Sequence, residues 1–196
     1  PTSYADFDVW QRWIADVSTR LARGPLAPER HKTRVDTLVK QEASAPSPTE
    51  AVMFVGSTTI ASWDLKKDFS EYKTINRGIN GALILDTTYY ADRLIVPNRP
   101  STIVFYCGEN DVFFGMKPEM VASHFSKFVA SVHGSLPDTH IVFMSIRPNI
   151  ARWHVAPETF ETNKRIQALI GKDARLHFVD LTPALLGPDG KPMREL

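Results

Sequence analysis

The chain has 196 residues, of which 23 are Lys or Arg and 22 are Asp or Glu, so its formal net charge is +1 at neutral pH. This length suits one domain with a core of normal size, and the balanced charge argues against a nucleic-acid partner. The single cysteine, Cys107, excludes an internal disulfide framework and a cysteine-rich zinc site, and no apolar run is long enough to span a bilayer. None of these features indicates a cellular compartment.

The N-terminal segment predicts two helices and a linker. Apolar residues recur at helical spacing in the first helix, at Phe7, Trp10, Ile14, Val17 and Leu21. Pro28 can open a second helix that runs to about Glu42, and its polarity predicts that it is mostly solvated. Residues 43–49 are rich in Pro and Ser, so we expect them to separate an N-terminal helical arm, residues 1–49, from an α/β domain, residues 50–196.

From Ala51 onward, short apolar runs alternate with longer helical patterns, which is typical of β-α-β units and a parallel sheet. We predict strands at Ala51–Val55, Lys73–Ile75, Thr102–Tyr106, His140–Ser145 and Leu176–Val179. We predict helices near Thr59–Lys66, Leu83–Ile95, Pro118–Leu136 and Pro157–Ile170. Right-handed crossovers and short connections favour the strand order 2-1-3-4-5, which is a flavodoxin-like three-layer αβα sandwich on a five-stranded parallel sheet.

A short motif follows each of the first three predicted strands. Residues 54–58 read Phe-Val-Gly-Ser-Thr, residues 76–81 read Asn-Arg-Gly-Ile-Asn-Gly, and residues 107–111 read Cys-Gly-Glu-Asn-Asp. In this order and spacing the motifs resemble the first three sequence blocks of the SGNH (GDSL-like) hydrolase superfamily of esterases and acylhydrolases. The resemblance covers roughly Ala51 to the carboxyl terminus. It implies the same αβα fold and hydrolysis of a small acyl or acetyl ester, without a cofactor or a metal.

The resemblance places Ser57 at the family's aspartate and Thr58 at its nucleophilic serine. Threonine carries the same hydroxyl, but its methyl group stiffens χ1 and crowds the attack trajectory, so Thr58 would be a slower nucleophile than serine. Ser57 is the second candidate, although a shift of one residue would point it away from the site. The alternative is that both hydroxyls merely cap the following helix.

Gly81 and Asn110 are the candidate oxyanion donors. A backbone N–H approaches an oxyanion closely only where no Cβ intrudes, and a side-chain amide just beyond a buried strand is a common oxyanion donor. With the backbone N–H of Thr58, they would form an oxyanion hole. The alternatives are a turn glycine at position 81 and an Asx-turn at position 110. Asp111 would repel an oxyanion, so we expect it to order its loop instead.

The resemblance also implies a histidine base in an Asp-x-x-His block after the last strand, and the sequence contains no such block. None of the six histidines has an aspartate three residues before it. His154 and His177 are the nearest substitutes. Two interpretations stay open: a piece of a longer hydrolase, or a relative that binds a ligand or has a structural role without catalysis. The resemblance also implies a C-terminal helix after this block, and the sequence stops before it. A sheet face left uncovered would be apolar and would favour a homodimer.

Arg147 and Trp153 follow the fourth predicted strand and are candidates to line the acyl or leaving-group pocket. The alternative is that they only pack the loops. The sequence has no Gly-x-Ser-x-Gly, Walker, Gly-x-Gly-x-x-Gly or His-Glu-x-x-His motif, so it does not support nucleotide binding or zinc catalysis. The predicted partner is therefore a small ester.

Overall fold

The computed structural model describes residues 28–44 and 51–193, and the helix predicted around residues 7–21 lies outside them. The strands in chain order are β1 (Val52–Gly56), β2 (Thr74–Gly78), β3 (Thr102–Tyr106), β4 (His140–Met144) and β5 (Leu176–Val179). The α-helices are α1 (Lys32–Ser44), α2 (Thr58–Ser62), α3 (Leu65–Asp68), α4 (Ile84–Tyr89), α5 (Ala91–Leu94), α6 (Glu109–Phe113), α7 (Pro118–Ser135), α8 (Ala156–Ile170) and α9 (Thr182–Leu185). Short 3₁₀ helices lie at Pro28–His31, Val96–Asn98 and Ile150–Val155.

The described strands form one parallel five-stranded sheet in the order β2-β1-β3-β4-β5. This confirms the predicted flavodoxin-like α/β fold. Gly56 of β1 pairs with Gly78 of β2 on one side and with Tyr106 of β3 on the other. Because these strands end at the same level, the loops that follow them share one edge of the sheet.

Aromatic side chains fill the space between the sheet and α7. Phe105 of β3 and Phe143 of β4 are fully buried, and the Phe105 ring lies 4.2 Å from the ring of Phe128 on α7. Helices cover both faces of the central strands, which explains why those strands are apolar. The edge strand β5 differs, since His177 and Val179 alternate toward solvent.

Two predicted helices are each divided in the structure. The helix predicted at Thr59–Lys66 is α2 and α3, because Trp63 is extended and Asp64 caps α3 by accepting from the Lys67 N–H at 3.2 Å. The helix predicted at Leu83–Ile95 is α4 and α5, because Tyr90 leaves helical geometry between them and its hydroxyl donates to the Pro28 carbonyl at 2.9 Å. A local cap at Asp64 thus divides the first predicted helix, and a tertiary contact between Tyr90 and Pro28 lies at the division of the second.

Helix α1 is an integral part of the core. Its outer side is exposed as predicted, but Val35 and Leu38 are buried in the main hydrophobic cluster. Glu42 of α1 forms an ion pair with Arg77 of β2, and Arg30 of the preceding 3₁₀ helix forms one with Asp86 of α4. Both ion pairs hold residues 28–44 against the rest of the fold. None of the helices in the described ranges is both long and apolar enough to cross a membrane.

Candidate active site

Two glycines, at the ends of β1 and β2, allow the backbone of these strands to approach other backbone segments closely. A Cβ on Gly56 would lie 1.9 Å from the Tyr106 carbonyl oxygen, and a Cβ on Gly78 would lie 2.2 Å from the Ala61 nitrogen of α2. Both contacts are with backbone atoms, so a side chain could be accommodated only by moving the backbone. The start of α2, with Thr58, is thus held directly against the end of β2.

The Thr58 hydroxyl meets the backbone of the loop after β2. Gly81 N–H donates to Thr58 Oγ1 at 2.9 Å, and the Thr58 side chain is exposed to solvent. Gly81 has φ +71°, and a Cβ there would meet no atom within 4 Å. Its left-handed backbone, rather than a close approach of another group, is therefore what favours glycine at this position.

Ser57 is buried behind Thr58. Its Oγ accepts from the Thr58 N–H at 2.6 Å and lies 3.5 Å from Asn110 Nδ2, at the outer limit of a hydrogen bond. The sequence-based expectation placed the Thr58 N–H in the oxyanion hole. In the structure that N–H is directed to the Ser57 hydroxyl instead.

Asn110 is oriented by an arginine that the sequence analysis missed. Its Oδ1 accepts from Arg152 Nη1 at 3.1 Å, while its Nδ2 donates to the Ala82 carbonyl at 3.2 Å and faces Ser57. A guanidinium only donates, so this contact fixes the amide oxygen away from Ser57 and the NH₂ group toward it. Asn110 lies inside α6, and its side chain contacts residues that are distant in sequence. This arrangement is different from the Asx-turn that was the alternative prediction.

Arg152 packs closely in this position. Its Nη1 also donates to the Glu109 carbonyl at 3.1 Å, and the guanidinium carbon lies 4.3 Å from the Phe113 ring centroid. Burial lowers the pKa of the Arg152 guanidinium, and the Glu109 charge opposes this shift. No local pattern identifies Arg152, because its partner Asn110 lies 42 residues earlier in the chain.

The Glu109 carboxylate is shared by several donors. It accepts from Tyr106 OH at 3.2 Å and from Asn149 Nδ2 at 2.5 Å, and it lies 3.6 Å from Arg152 Nη1 and 3.8 Å from Arg147 Nε. Burial raises the pKa of the Tyr106 phenol, and the Glu109 charge raises it further. Tyr106 therefore stays protonated and donates to Glu109.

Asp111 lies under the loop that carries Gly81. The carboxylate is fully buried and accepts from Ile84 N–H at 3.2 Å, with His124 Nδ1 3.7 Å away. Burial raises the pKa of Asp111, and the contacts with His124 and the Ile84 N–H oppose that shift. Asp111 thus contacts the loop and not the cleft, in line with its expected role.

A cleft of about 590 Å³ opens at Thr58. The residues that line it are Thr58, Thr59, Ser62, Trp63, Tyr106, Met144, Arg147, Leu181, Ala184 and Leu185. Trp153 lies instead in a neighbouring cleft with Ile150 and Met193. A smaller cleft of about 220 Å³ is lined by Arg147, Ile150 and Met193, so it shares lining residues with both of the others. The structure therefore brings Arg147, but not Trp153, to the cleft of Thr58.

The histidines have other partners. His177 stacks on His140, with Nδ1 of His140 3.0 Å from Nε2 of His177, and the exposed His154 packs edge-on to Phe113. The other histidines are His31, His124 and His133, which lie beside Asp86, Asp111 and the Thr139 carbonyl respectively. In the described ranges, no histidine contacts the Thr58 hydroxyl. Those ranges also contain no cluster of three or more His, Cys, Asp or Glu side chains that could hold a metal ion.

Comparison with known proteins adds a family and a set of similar folds. The model of the GDSL-like Lipase/Acylhydrolase family matches residues 55–196, which is most of the chain. No curated protein sequence matches the chain.

Three solved structures illustrate the similarity in fold. A protein of Streptococcus pneumoniae, provisionally named a platelet activating factor, has TM-score 0.75 and 17% identity over 99% of this chain and 88% of its own. A GDSL-like lipase from Bacteroides thetaiotaomicron has TM-score 0.70 and 16% identity over 82% and 84% of the two chains. A catalytic mutant of an acetylxylan esterase from Geobacillus stearothermophilus, with a histidine replaced by alanine, has TM-score 0.56 and 13% identity over 75% and 88%. These identities establish a common fold only.

Proposed function

Because the chain belongs to the GDSL-like lipase/acylhydrolase family, we propose that it hydrolyses small acyl esters with the Thr58 hydroxyl as the nucleophile. One observation carries this proposal: the Thr58 hydroxyl is exposed at the mouth of a cleft and held by the Gly81 N–H at 2.9 Å. A backbone donor beside the nucleophile supports the proposal, because acyl transfer needs a donor for the oxygen that becomes negative as well as a nucleophile.

The proposed reaction has two steps. Thr58 Oγ1 attacks the ester carbonyl carbon, and the carbonyl oxygen gains negative charge, which Gly81 N–H and Asn110 Nδ2 stabilise as donors. Thr58 releases its proton to solvent, the bond to the alcohol breaks, and the leaving alkoxide takes up a proton from solvent to become the free alcohol. Water then attacks the acyl-threonine, releasing the acid and restoring the Thr58 hydroxyl.

The transfer of the Thr58 proton is the slow part of this scheme. The described residues supply no histidine in contact with Thr58, so the proton passes to solvent in the reaction as we propose it. In serine proteases, removal of a triad member leaves roughly 10³–10⁴-fold acceleration over water from the remaining parts. We therefore expect turnover that is measurable but slow.

A second candidate function is ligand binding without hydrolysis. The observation that favours it is the same lack of a histidine beside Thr58 among the described residues, together with the methyl group that threonine carries on Cβ, next to its hydroxyl. This candidate predicts that an ester binds in the cleft and is released unchanged.

Hydrolysis of 4-nitrophenyl acetate by the purified protein and by Thr58→Ala distinguishes these candidates. The proposal expects turnover above the buffer rate, lost in Thr58→Ala, with the far-ultraviolet circular dichroism of both proteins the same. Equal rates for the two proteins would refute the role of Thr58. Binding of the ester without turnover in either protein would favour the second candidate.

A further inference from the structure

Arg147 brings a positive charge into the cleft of Thr58, and among the described residues only Glu109, 3.8 Å away, lies close enough to form an ion pair with it. We propose that Arg147 forms an anion subsite, so that the preferred substrates are esters that carry a carboxylate. This inference rests on the proposed function, because it concerns the substrate class of the same cleft.

The guanidinium of Arg147 has free donors. Its one ionic contact in the described part of the chain is from Nε to Glu109 Oε2 at 3.8 Å, and Nε is buried without a hydrogen-bond partner. The side chain is 40% exposed and forms part of the lining of the cleft. Arg152 differs, since its Nη1 donates to both Asn110 and Glu109.

Glu109 cannot neutralise both arginines. Its carboxylate already accepts from Tyr106 and Asn149, and Arg152 lies closer to it than Arg147 does, at 3.6 Å against 3.8 Å. Two guanidinium groups thus share one carboxylate, and the excess positive charge lies on the cleft side. A partly buried charge without a close partner is unfavourable, and an anionic ligand relieves this cost.

The remaining lining favours a carboxylate over other ligands. None of the described residues that line the cleft is acidic, and Trp63, Met144, Leu181 and Leu185 make much of the wall apolar. Electrostatic hydrogen bonds are stronger in such surroundings than in water. A guanidinium also presents a planar pair of donors that matches a carboxylate in two parallel hydrogen bonds.

The carboxylate can belong to the acyl part or to the alcohol part of the ester, because Arg147 borders both the Thr58 cleft and the smaller cleft beyond it. Two pairs of esters separate these sources. Mono-4-nitrophenyl adipate and 4-nitrophenyl hexanoate differ by a carboxylate in the acyl part. 3-Acetoxybenzoate and 3-acetoxybenzamide differ by a carboxylate in the alcohol part.

The measurement is the ratio of kcat/KM for the anionic ester to kcat/KM for its neutral partner. We expect the wild-type ratio to be about 10-fold higher than that of Arg147→Gln in at least one pair, since hydrogen bonds to charged groups contribute this much. The pair that shows the effect identifies the source of the charge. Arg147→Lys should restore part of the ratio. Arg165→Gln, an exposed arginine of α8 paired with Glu161, is the control and should leave the ratio unchanged.

A binding measurement separates this inference from the proposed function. Calorimetric titration of adipate and 3-hydroxybenzoate needs no turnover, and we expect at least one of them to bind about 10-fold more weakly to Arg147→Gln than to the wild type. If this holds while no ester is hydrolysed, the subsite stands and the proposed hydrolysis falls. If esters are hydrolysed while the ratios and the affinities are equal in wild type and Arg147→Gln, the subsite is refuted and the hydrolysis stands.

Discussion

Thr58 and Ser57 present adjacent hydroxyls with opposite surroundings. The Thr58 hydroxyl is exposed to the cleft and contacts one donor, whereas Ser57 is buried and its oxygen faces the Thr58 N–H and the Asn110 amide. A nucleophile needs access to the ester carbon, and Thr58 alone of the two has it. Ser57 instead lies behind Thr58, next to the Thr58 N–H and the Asn110 amide.

Replacing Thr58 by serine should raise kcat/KM for 4-nitrophenyl acetate by roughly tenfold, or ~1.4 kcal/mol of activation free energy. The reason is that the substitution removes the methyl group that crowds the attack but keeps the hydroxyl. Thr59→Ser makes the same change at the next residue of the same cleft and should leave the rate within a factor of two of wild type, about 0.4 kcal/mol. A Thr58→Ser protein no faster than wild type would contradict the crowding argument.

Arg152 acts as a positioning residue for Asn110, and a double-mutant cycle tests it. We expect Arg152→Gln to lower kcat more than it raises KM, because the amide is then free to turn its oxygen toward the site. Asn110→Ala removes the donor, at a cost of about 10²–10³ in kcat if it acts as an oxyanion donor. In the Asn110→Ala background, Arg152→Gln should add almost nothing. Additive losses in the double variant would mean that Arg152 acts independently of Asn110.

The contact between α2 and the end of β2 holds Thr58, the candidate nucleophile at the start of α2, in a fixed position. A Cβ at Gly78 would collide with the backbone of α2 at Ala61, while a Cβ at Gly134, near the end of α7, would meet no atom within 4 Å. The two glycines therefore form a matched pair for the substitution Gly→Ala.

Gly78→Ala should lower the free energy of unfolding by about 1–3 kcal/mol and reduce ester turnover, because α2 and Thr58 must shift. Gly134→Ala should raise the free energy of unfolding by about 0.5–1 kcal/mol, since alanine is favoured over glycine within a helix. Urea unfolding followed by tryptophan fluorescence measures both. Equal effects of the two substitutions would contradict the close contact between α2 and β2.

The sequence predicted the strands and their order well but not the divisions between helices. Short apolar runs with helical patterns between them are local features, and the strand order that they predict brings the three motifs to one sheet edge. The break at Tyr90 depends on its hydroxyl reaching Pro28, and the orientation of Asn110 depends on Arg152. Such contacts join distant parts of the chain, so no local pattern reveals them.

At the scale of the whole molecule, the loops of the site are held by a buried acid. Burial raises the pKa of Asp111, so the folded protein binds a proton at this group more tightly than the unfolded chain does. The stabilisation from this proton is complete below the unfolded pKa, about 3.9, and is lost as the pH rises through the folded pKa.

Asp111→Asn keeps an acceptor for the Ile84 N–H but cannot titrate. The free energy of unfolding of wild type minus that of the variant should therefore fall as the pH rises from about 4 toward neutrality. Thermal or urea unfolding at a series of pH values gives this difference. A difference that is constant or that rises with pH would mean that Asp111 is not held in surroundings that disfavour its charge.

The partners of the whole molecule stay predictions. The sequence predicts a homodimer and a small ester as partners, and no nucleic acid. The chain belongs to the GDSL-like lipase/acylhydrolase family, and its candidate site lies at one edge of the αβα fold.

Covalent labelling tests directly whether Thr58 is the nucleophile of an ester hydrolase. The protein is incubated with an alkyl fluorophosphonate, digested, and the modified residue is located by tandem mass spectrometry. We expect an adduct on Thr58 that is absent from Thr58→Ala and forms in Ser57→Ala. An adduct on Ser57, or no adduct on either residue while esters are still hydrolysed, would contradict it.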